Sequence, residues 1–149
     1  MSLDKIDIKI IQELQENARK SFAEIGRIVG LSSPAVADRM QKMEEMGVIE
    51  GYQVSLNPEK VGLHVQAYVT LKITSSNYIH FMSKLDQFPE VLECSKLTGE
   101  YCVSLRVAVR SNKKLEEVLN KLTEFGHPNT SIILSTATQM IPIREYGHL

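Results

Sequence analysis

No apolar run in this sequence exceeds a few residues, so none could span a bilayer, which takes about 20 in succession. The chain opens on MSLDKIDIK, with acids ahead of any apolar segment, the reverse of a secretory leader. A cytoplasmic location is the expectation. Cysteine is scarce: Cys94 and Cys102 are too few for a disulfide framework, lack Cys-x-x-Cys spacing, and read as small buried hydrophobes. The histidines (His64, His80, His127 and His148) are scattered without ligand spacing, so no metal site is expected. Neither a nucleophile paired with a base nor a glycine-rich phosphate loop is present, which leaves no catalytic residue to nominate. An excess of positive charge is also missing. The chain carries 17 Lys+Arg against 18 Asp+Glu, and residues 1–50 hold seven against nine, a net of -2. Any attraction to nucleic acid must come from local placement of charge.

At 149 residues, with 43% hydrophobic and 23% charged positions, there is room for one medium domain or two small ones. The organising stretch is SFAEIGRIVGLSSPAVADRMQKMEEM, from Ser21 to Met46. Ser21 and Glu24 have capping-box spacing. Ile25, Ile28 and Val29 follow at helical spacing, Gly26 leaves room for close approach of another helix, and Gly30 suits a left-handed stop. Leu31 plugs the corner. Ser33 before Pro34 opens a second helix, with a hydroxyl cap and a proline at the first helical position. Val36, Met40 and Met43 form its buried stripe. Ahead of this stretch, Asp4 and Asp7 start a helix with Ile10, Ile11 and Leu14 inward. Residues 1–50 therefore read as a trihelical, winged-helix-like domain with a helix-turn-helix, whose last helix could enter a DNA major groove.

Residues 51–63 mix strand character at Tyr52 and Val54 with the breakers Asn57-Pro58 and Gly62, and read as a connecting arm. From His64 the period changes to two. Val65, Ala67, Val69, Leu71 and Ile73 alternate with Gln66, Tyr68, Thr70 and Lys72, the mark of a half-buried strand. Ser76 or Asn77 caps a helix bearing Tyr78, Phe81, Leu85 and Phe88. VLECSKL and YCVSLRVAV are strands joined around Thr98-Gly99-Glu100. Ser111 caps a helix with Leu115, Val118, Leu119, Leu122 and Phe125 on one face, ended by Gly126 and Pro128. TSIILSTATQMI is the fourth strand. The order βαββαβ predicts a ferredoxin-like α+β sandwich over 64–149, with both helices on one face of an antiparallel sheet. The other face, with Gln66, Tyr68, Thr70, Cys102, Ser104, Arg106 and Ala108, suits a homodimer interface.

With Val36, Met40 and Met43 inward, steps of about 100° per residue put Pro34, Asp38, Gln41, Lys42 and Glu45 outward, with Ala37 and Arg39 on the flanks. Ser32, Ser33 and the free amides of the helix start can hold a phosphate. Lys42 can reach another phosphate, Gln41 could read a base edge, best an adenine, and Asp38 could accept from cytosine. Arg39 either touches DNA or packs its stem and pairs with an acid such as Glu24 or Glu44.

The chain resembles the Lrp/AsnC (leucine-responsive, feast/famine) family of transcription regulators nearly end to end. LDKIDIKIIQELQENAR, FAEIGRIVGLSSPAVADRMQKMEEMGVIEGY, LTGEYCVSLRVAV and SIILSTATQMI carry the resemblance, in that order. It implies a DNA-binding regulator that dimerises, often into octamers, and answers to a small molecule, usually an amino acid, with leucine or methionine the guess. It also implies an arginine at the DNA-reading position that Arg39 matches. The effector pocket, at the junction of neighbouring dimers, would involve Thr98, Gly99, Glu100, Tyr101, Cys102 and, on the last strand, Thr136 or Thr138. Cys102 stands where the family usually has an acid. Glu100 could substitute only by pointing inward. Two rival readings are a sirohaem decarboxylase-like enzyme and an amino-acid sensor subunit that binds no DNA.

Overall fold

Asp4 Oδ1 accepts the amides of Ile6 and Asp7 at 2.8 and 2.9 Å, and Asp7 Oδ2 accepts the amide of Asp4 at 2.9 Å. This reciprocal cap starts α1, Lys5–Glu16, in the computed structural model, which describes residues 3–137, 141–144 and 146. Ser21 and Glu24 repeat the device for α2, Phe22–Val29, at 2.7 and 3.2 Å. Gly30 closes α2 with φ +74°, and the Leu31 amide donates to the Gly26 carbonyl at 2.9 Å. A Cβ on Gly26 would sit 2.4 Å from the Leu31 carbonyl oxygen. That glycine admits the backbone of the turn itself, where the spacing had suggested another helix. The next helix, α3, spans Ser33–Glu45 and is capped one residue earlier than expected, by Ser32, whose Oγ accepts the Ala35 amide at 3.4 Å. Pro34 is thus its second residue, a place where the amide has no intrahelical acceptor to lose.

Ile10, Ile25, Val36, Met40 and Met43 form the buried centre of this helical unit, with Ile6, Leu14, Val29 and Leu31 packed around it. Ile28, which the spacing places inward, is 48% exposed. The inward row of the short α2 is Ile25, Gly26 and Val29. Among the described residues Glu13 is the buried charge of the unit, held by Lys9 and Lys20 at 3.2 and 2.5 Å.

Four strands form one antiparallel sheet in the order β2-β3-β1-β4, with β1 Val65–Lys72, β2 Val91–Lys96, β3 Val103–Val109 and β4 His127–Ile132. Two helices cover one face: α4, Ser75–Met82, and α5, Asn112–Leu122. The expected βαββαβ order and α+β class hold. Ala67, Val69, Leu71, Val103, Leu105, Val107 and Val109 meet Phe81, Leu115, Val118 and Leu122 in one core. Phe81, Phe88 and Phe125 close it, ring centroids 5.3 to 6.0 Å apart. Thr74 caps α4 in place of Ser76 or Asn77, and Leu85 lies on a following 3-10 turn. β4 begins at His127 and stops at Ile132, short of the apolar run that continues it in sequence. It pairs with β1 as far as Ala67, and Ile133 still donates to the Gln66 carbonyl at 2.8 Å, although β1 itself starts at Val65. Pro128 is tolerated because β4 is an edge strand.

Cys102 leaves the face expected for it. It precedes β3, so the alternation no longer governs it, and its Sγ donates to the Ile73 carbonyl at 3.4 Å while packing on the core. Cys94 is half-buried as well, and burial raises its thiol pKa. By chain contacts there are two units: Met1–Val54 with Thr138–Leu149, and Ser55–Ala137. The division falls inside the expected arm, and the C-terminal stretch goes with the helices. There the Gln15 carboxamide accepts the Ile143 amide at 2.8 Å and donates to its carbonyl at 3.2 Å. Among the described residues no helix is long and apolar enough to cross a membrane.

Gly26→Ala sets two effects against each other. Helix propensity alone favours alanine by about 1 kcal/mol, whereas crowding a packed turn costs about 1–3 kcal/mol. With a contact of 2.4 Å against backbone, crowding wins. The expected outcome is a melting temperature lowered by several degrees, read by thermal denaturation; an unchanged or raised value would contradict it.

A second prediction concerns acid. Hydrogen bonds from Lys20 and Lys9 hold the Glu13 carboxyl below its ordinary 4.5, and the Ser21 hydroxyl and amide do the same for Glu24. Groups with lowered folded pKa values contribute their full stabilisation above that ordinary value and lose it as pH falls through the folded one. Resistance of the 222 nm circular dichroism signal to urea therefore declines below about pH 4.5, and less steeply in Glu13→Gln. A decline already complete above pH 5, or one the substitution leaves alone, would refute this.

Candidate nucleic-acid interface and effector region

Burial of Val36, Met40 and Met43 decides which way α3 faces. Pro34, Asp38, Gln41 and Lys42 are exposed, together with Ser32 at the cap, while Ser33, Ala37 and Arg39 are half-buried flank residues. Gln41 donates to Glu45 Oε1, one turn on, at 2.7 Å, in solvent where a base edge could compete for it. Lys42 makes no ion pair among the described residues.

Arg39 is already engaged. Its Nη1 donates to Asp7 Oδ1 at 2.6 Å and to Asp4 Oδ2 at 2.8 Å. These contacts raise its pKa further, Asp7 contributing most. The nearer acids expected as partners have other duties. Glu24 serves the α2 cap, and Glu44 accepts the Tyr52 hydroxyl at 2.8 Å. Burial, reinforced by Glu44, pushes the Tyr52 phenol up to about 12.

Of the seven cations in residues 1–50, Lys9 and Lys20 are paired with Glu13 and Arg39 with Asp4 and Asp7. Lys5, Arg19, Arg27 and Lys42 make no ion pair among the described residues. Arg27 escaped the sequence reading. Its signal was its place opposite the Ile25–Val29 row of α2, the helix that crosses the DNA backbone in this motif.

The hairpin between β2 and β3 is closed by the Leu97 amide donating to the Cys102 carbonyl at 2.7 Å. Thr98, Gly99 and Glu100 are exposed; Tyr101 and Cys102 are half-buried. Gly99 has φ +100°. The Glu100 carboxylate pairs with the Lys72 ammonium at the end of β1, which lowers its pKa and raises that of the lysine. Thr136 is exposed; Thr138 lies outside the described residues. Register separates these groups. The hairpin leaves the sheet beside the Leu71–Val103 pair, whereas β4 runs from His127, opposite Lys72, to Ile132, opposite Ala67. Thr136 therefore follows the other end of the sheet, and one chain does not gather the expected effector residues at one place. Among the described residues no group of three or more His, Cys, Asp or Glu could hold a metal.

Residues 3–44 match the AsnC-type helix-turn-helix domain, and residues 66–143 match the Lrp/AsnC ligand binding domain. The chain is 36% identical over 138 residues to the HTH-type transcriptional regulator Ptr1 of Methanocaldococcus jannaschii, covering 90% of this chain and 93% of that one. It is 32% identical over 135 residues to the HTH-type transcriptional regulator LrpC of Bacillus subtilis, covering 91% and 94%. The solved structure of LrpC superposes with a TM-score of 0.87 over 94% of this chain and 100% of that one, at 31% identity. A transcriptional regulator from Neisseria meningitidis, NMB0573, solved as a complex with L-Met, also superposes at 0.87, with 30% identity, 96% of this chain and 97% of that one.

Proposed function

The chain belongs to the Lrp/AsnC family, and from that premise we propose how its residues divide the work of a DNA-binding transcriptional regulator. The relatives are regulators and not enzymes, which sets aside the decarboxylase reading. The observation that carries the proposal is the exposure of Gln41 and Lys42 on α3, opposite its buried stripe. Ser32, Ser33 and the amides behind Pro34 receive one phosphate, Lys42 and Arg27 receive others, and Gln41, with Asp38 and Ala37 beside it, faces the base edges. The exposed N-terminal end of α3 also speaks against a sensor that binds no DNA.

One such unit reads few base pairs, so specificity calls for two. The sheet face opposite α4 and α5 supports a homodimer. Tyr68 there is 50% exposed, and beside it Arg106 Nη2 donates to Gln66 Oε1 at 3.3 Å. A second copy covering that face would bury the Tyr68 ring. It would set two α3 helices about 34–36 Å apart, one DNA turn. Higher assembly, up to an octamer, would bring the Thr98–Cys102 hairpin of one chain to the Thr136 end of another. An amino acid is the proposed effector, in keeping with the L-Met complex of the Neisseria protein. Its carboxylate would meet the hairpin amides. Its ammonium would draw Glu100 away from Lys72.

Affinity for DNA should fall steeply with salt. Lys42→Ala should flatten the log–log salt slope by about one unit on every duplex, while Gln41→Ala should change the ranking of duplexes at constant slope. Fluorescence anisotropy reads both; a slope unmoved by Lys42→Ala would remove that phosphate contact. For the effector, a thermal-shift screen of the twenty amino acids should raise the melting temperature for one or two of them. At a hundredfold excess over Kd the added stability is about 2.7 kcal/mol. No shift with any amino acid would refute this choice of ligand.

A further inference from the structure

We propose that Asp4 and Asp7 are positioning residues for DNA binding: they clamp the Arg39 guanidinium on the α1 side of α3, keeping its charge off the phosphate backbone. The proposal rests on the reading that α3 enters the major groove, and says which of its cations does not touch DNA. The four carboxylate oxygens are divided between two tasks. Asp4 Oδ1 and Asp7 Oδ2 close the α1 cap, while Asp4 Oδ2 and Asp7 Oδ1 both accept from Arg39 Nη1, at 2.8 and 2.6 Å. Because the cap already fixes both acids, gripping the arginine orders little further side-chain freedom. Charge-assisted bonds of this length are also about twice as strong as neutral ones.

The surroundings disfavour a phosphate at the Arg39 guanidinium itself. The cleft on this side of α3 is lined by Asp4, Asp7, Asp38, Arg39 and Lys42, three carboxylates against two cations. A phosphate reaching for Arg39 would have to displace two carboxylates and sit beside a third. The Asp7 side chain is only 14% exposed, so water screens its bond to Arg39 less than it would a surface pair. The duplex backbone is thereby left to Lys42, at the exposed outer side of that cleft, and to the N-terminal end of α3. The clamp also joins the first turn of α1 to the middle of α3, so the recognition helix is held at a fixed bearing by residues 32 and 35 positions away.

The test is the salt dependence of binding by the full chain to two duplexes, the DNA upstream of its own coding sequence and a shuffled copy. Arg39→Met keeps the apolar stem. It should leave the salt slope at the wild-type value while lowering affinity for the upstream duplex severalfold. Asp4→Asn with Asp7→Asn removes both charges that hold the arginine; asparagine matches aspartate at the N-cap, and the one amide oxygen left at position 7 can still accept the backbone amide of residue 4. This double variant should steepen the slope by about one unit and tighten binding to the shuffled duplex. Should the double variant fold poorly by circular dichroism, Asp7→Asn alone is expected to move both readouts the same way. A slope flattened by both Arg39→Met and Lys42→Ala would overturn the clamp and leave the reading of α3 standing. A slope unmoved by Arg39→Met and Lys42→Ala alike would overturn that reading and the clamp with it. Freed variants that bind the shuffled duplex no tighter would overturn the clamp alone.

Discussion

Burial of the narrow stripe Val36, Met40 and Met43 is the constraint on which the rest depends. A helix of 13 residues with three inward positions has no choice about its remaining face, so fixing the stripe fixes Gln41 and Lys42 in solvent. What holds the stripe down is local. The Gly26 backbone meets the Leu31 carbonyl so closely that no side chain fits between them, and this contact sets the angle at which α3 leaves the turn. Ile10 and Ile25 then complete a core of five buried apolar residues among those described. So small a core is marginal by itself. Caps at Asp4, Ser21 and Ser32 and the paired Glu13 help to offset that.

Net charge is a poor guide to such a surface. The helical third carries more acids than bases, yet most of its acids are spent on caps, pairs and hydrogen bonds. Asp4 and Asp7 serve α1 and Arg39, Glu13 holds Lys9 and Lys20, Glu24 caps α2, and Glu44 takes the Tyr52 hydroxyl. Arg27 and Lys42 escape this pairing, on the two helices that would face DNA. Binding polyanions with a negative domain is then a matter of which charges are neutralised internally, and Coulomb attraction over a few ångströms outweighs the distant sum.

The fold was legible because the hydrophobic period changes from helical to alternating at His64, and because most helix starts carry a capping residue. The errors were ones that periodicity cannot resolve. Ser32 and Ser33 are both competent caps and proline is accepted at either of the first two helical positions, so the sequence pattern permits both registers. β4 ends at Ile132, opposite Ala67, with two residues of β1 still ahead of it, and nothing in the apolar run marks that stop. The partner of Arg39 was missed because Glu24 and Glu44 are nearer in sequence than Asp4 and Asp7; only packing α1 against α3 reveals it. The separation of Thr136 from the hairpin could have been read from the βαββαβ order, since antiparallel pairing sends consecutive strand ends to opposite edges of the sheet.

The central claim is that α3 lies in a major groove and does so twice, one DNA turn apart. Methylation protection reports it most directly, because guanine N7 lies in the major groove. On the DNA upstream of the chain's own coding sequence, the account predicts two patches of protected guanines centred about 10–10.5 base pairs apart, or a multiple of that spacing, both lost in a Gln41→Ala, Lys42→Ala double variant. Protection confined to the minor-groove side, or patches that survive the double variant, would contradict it.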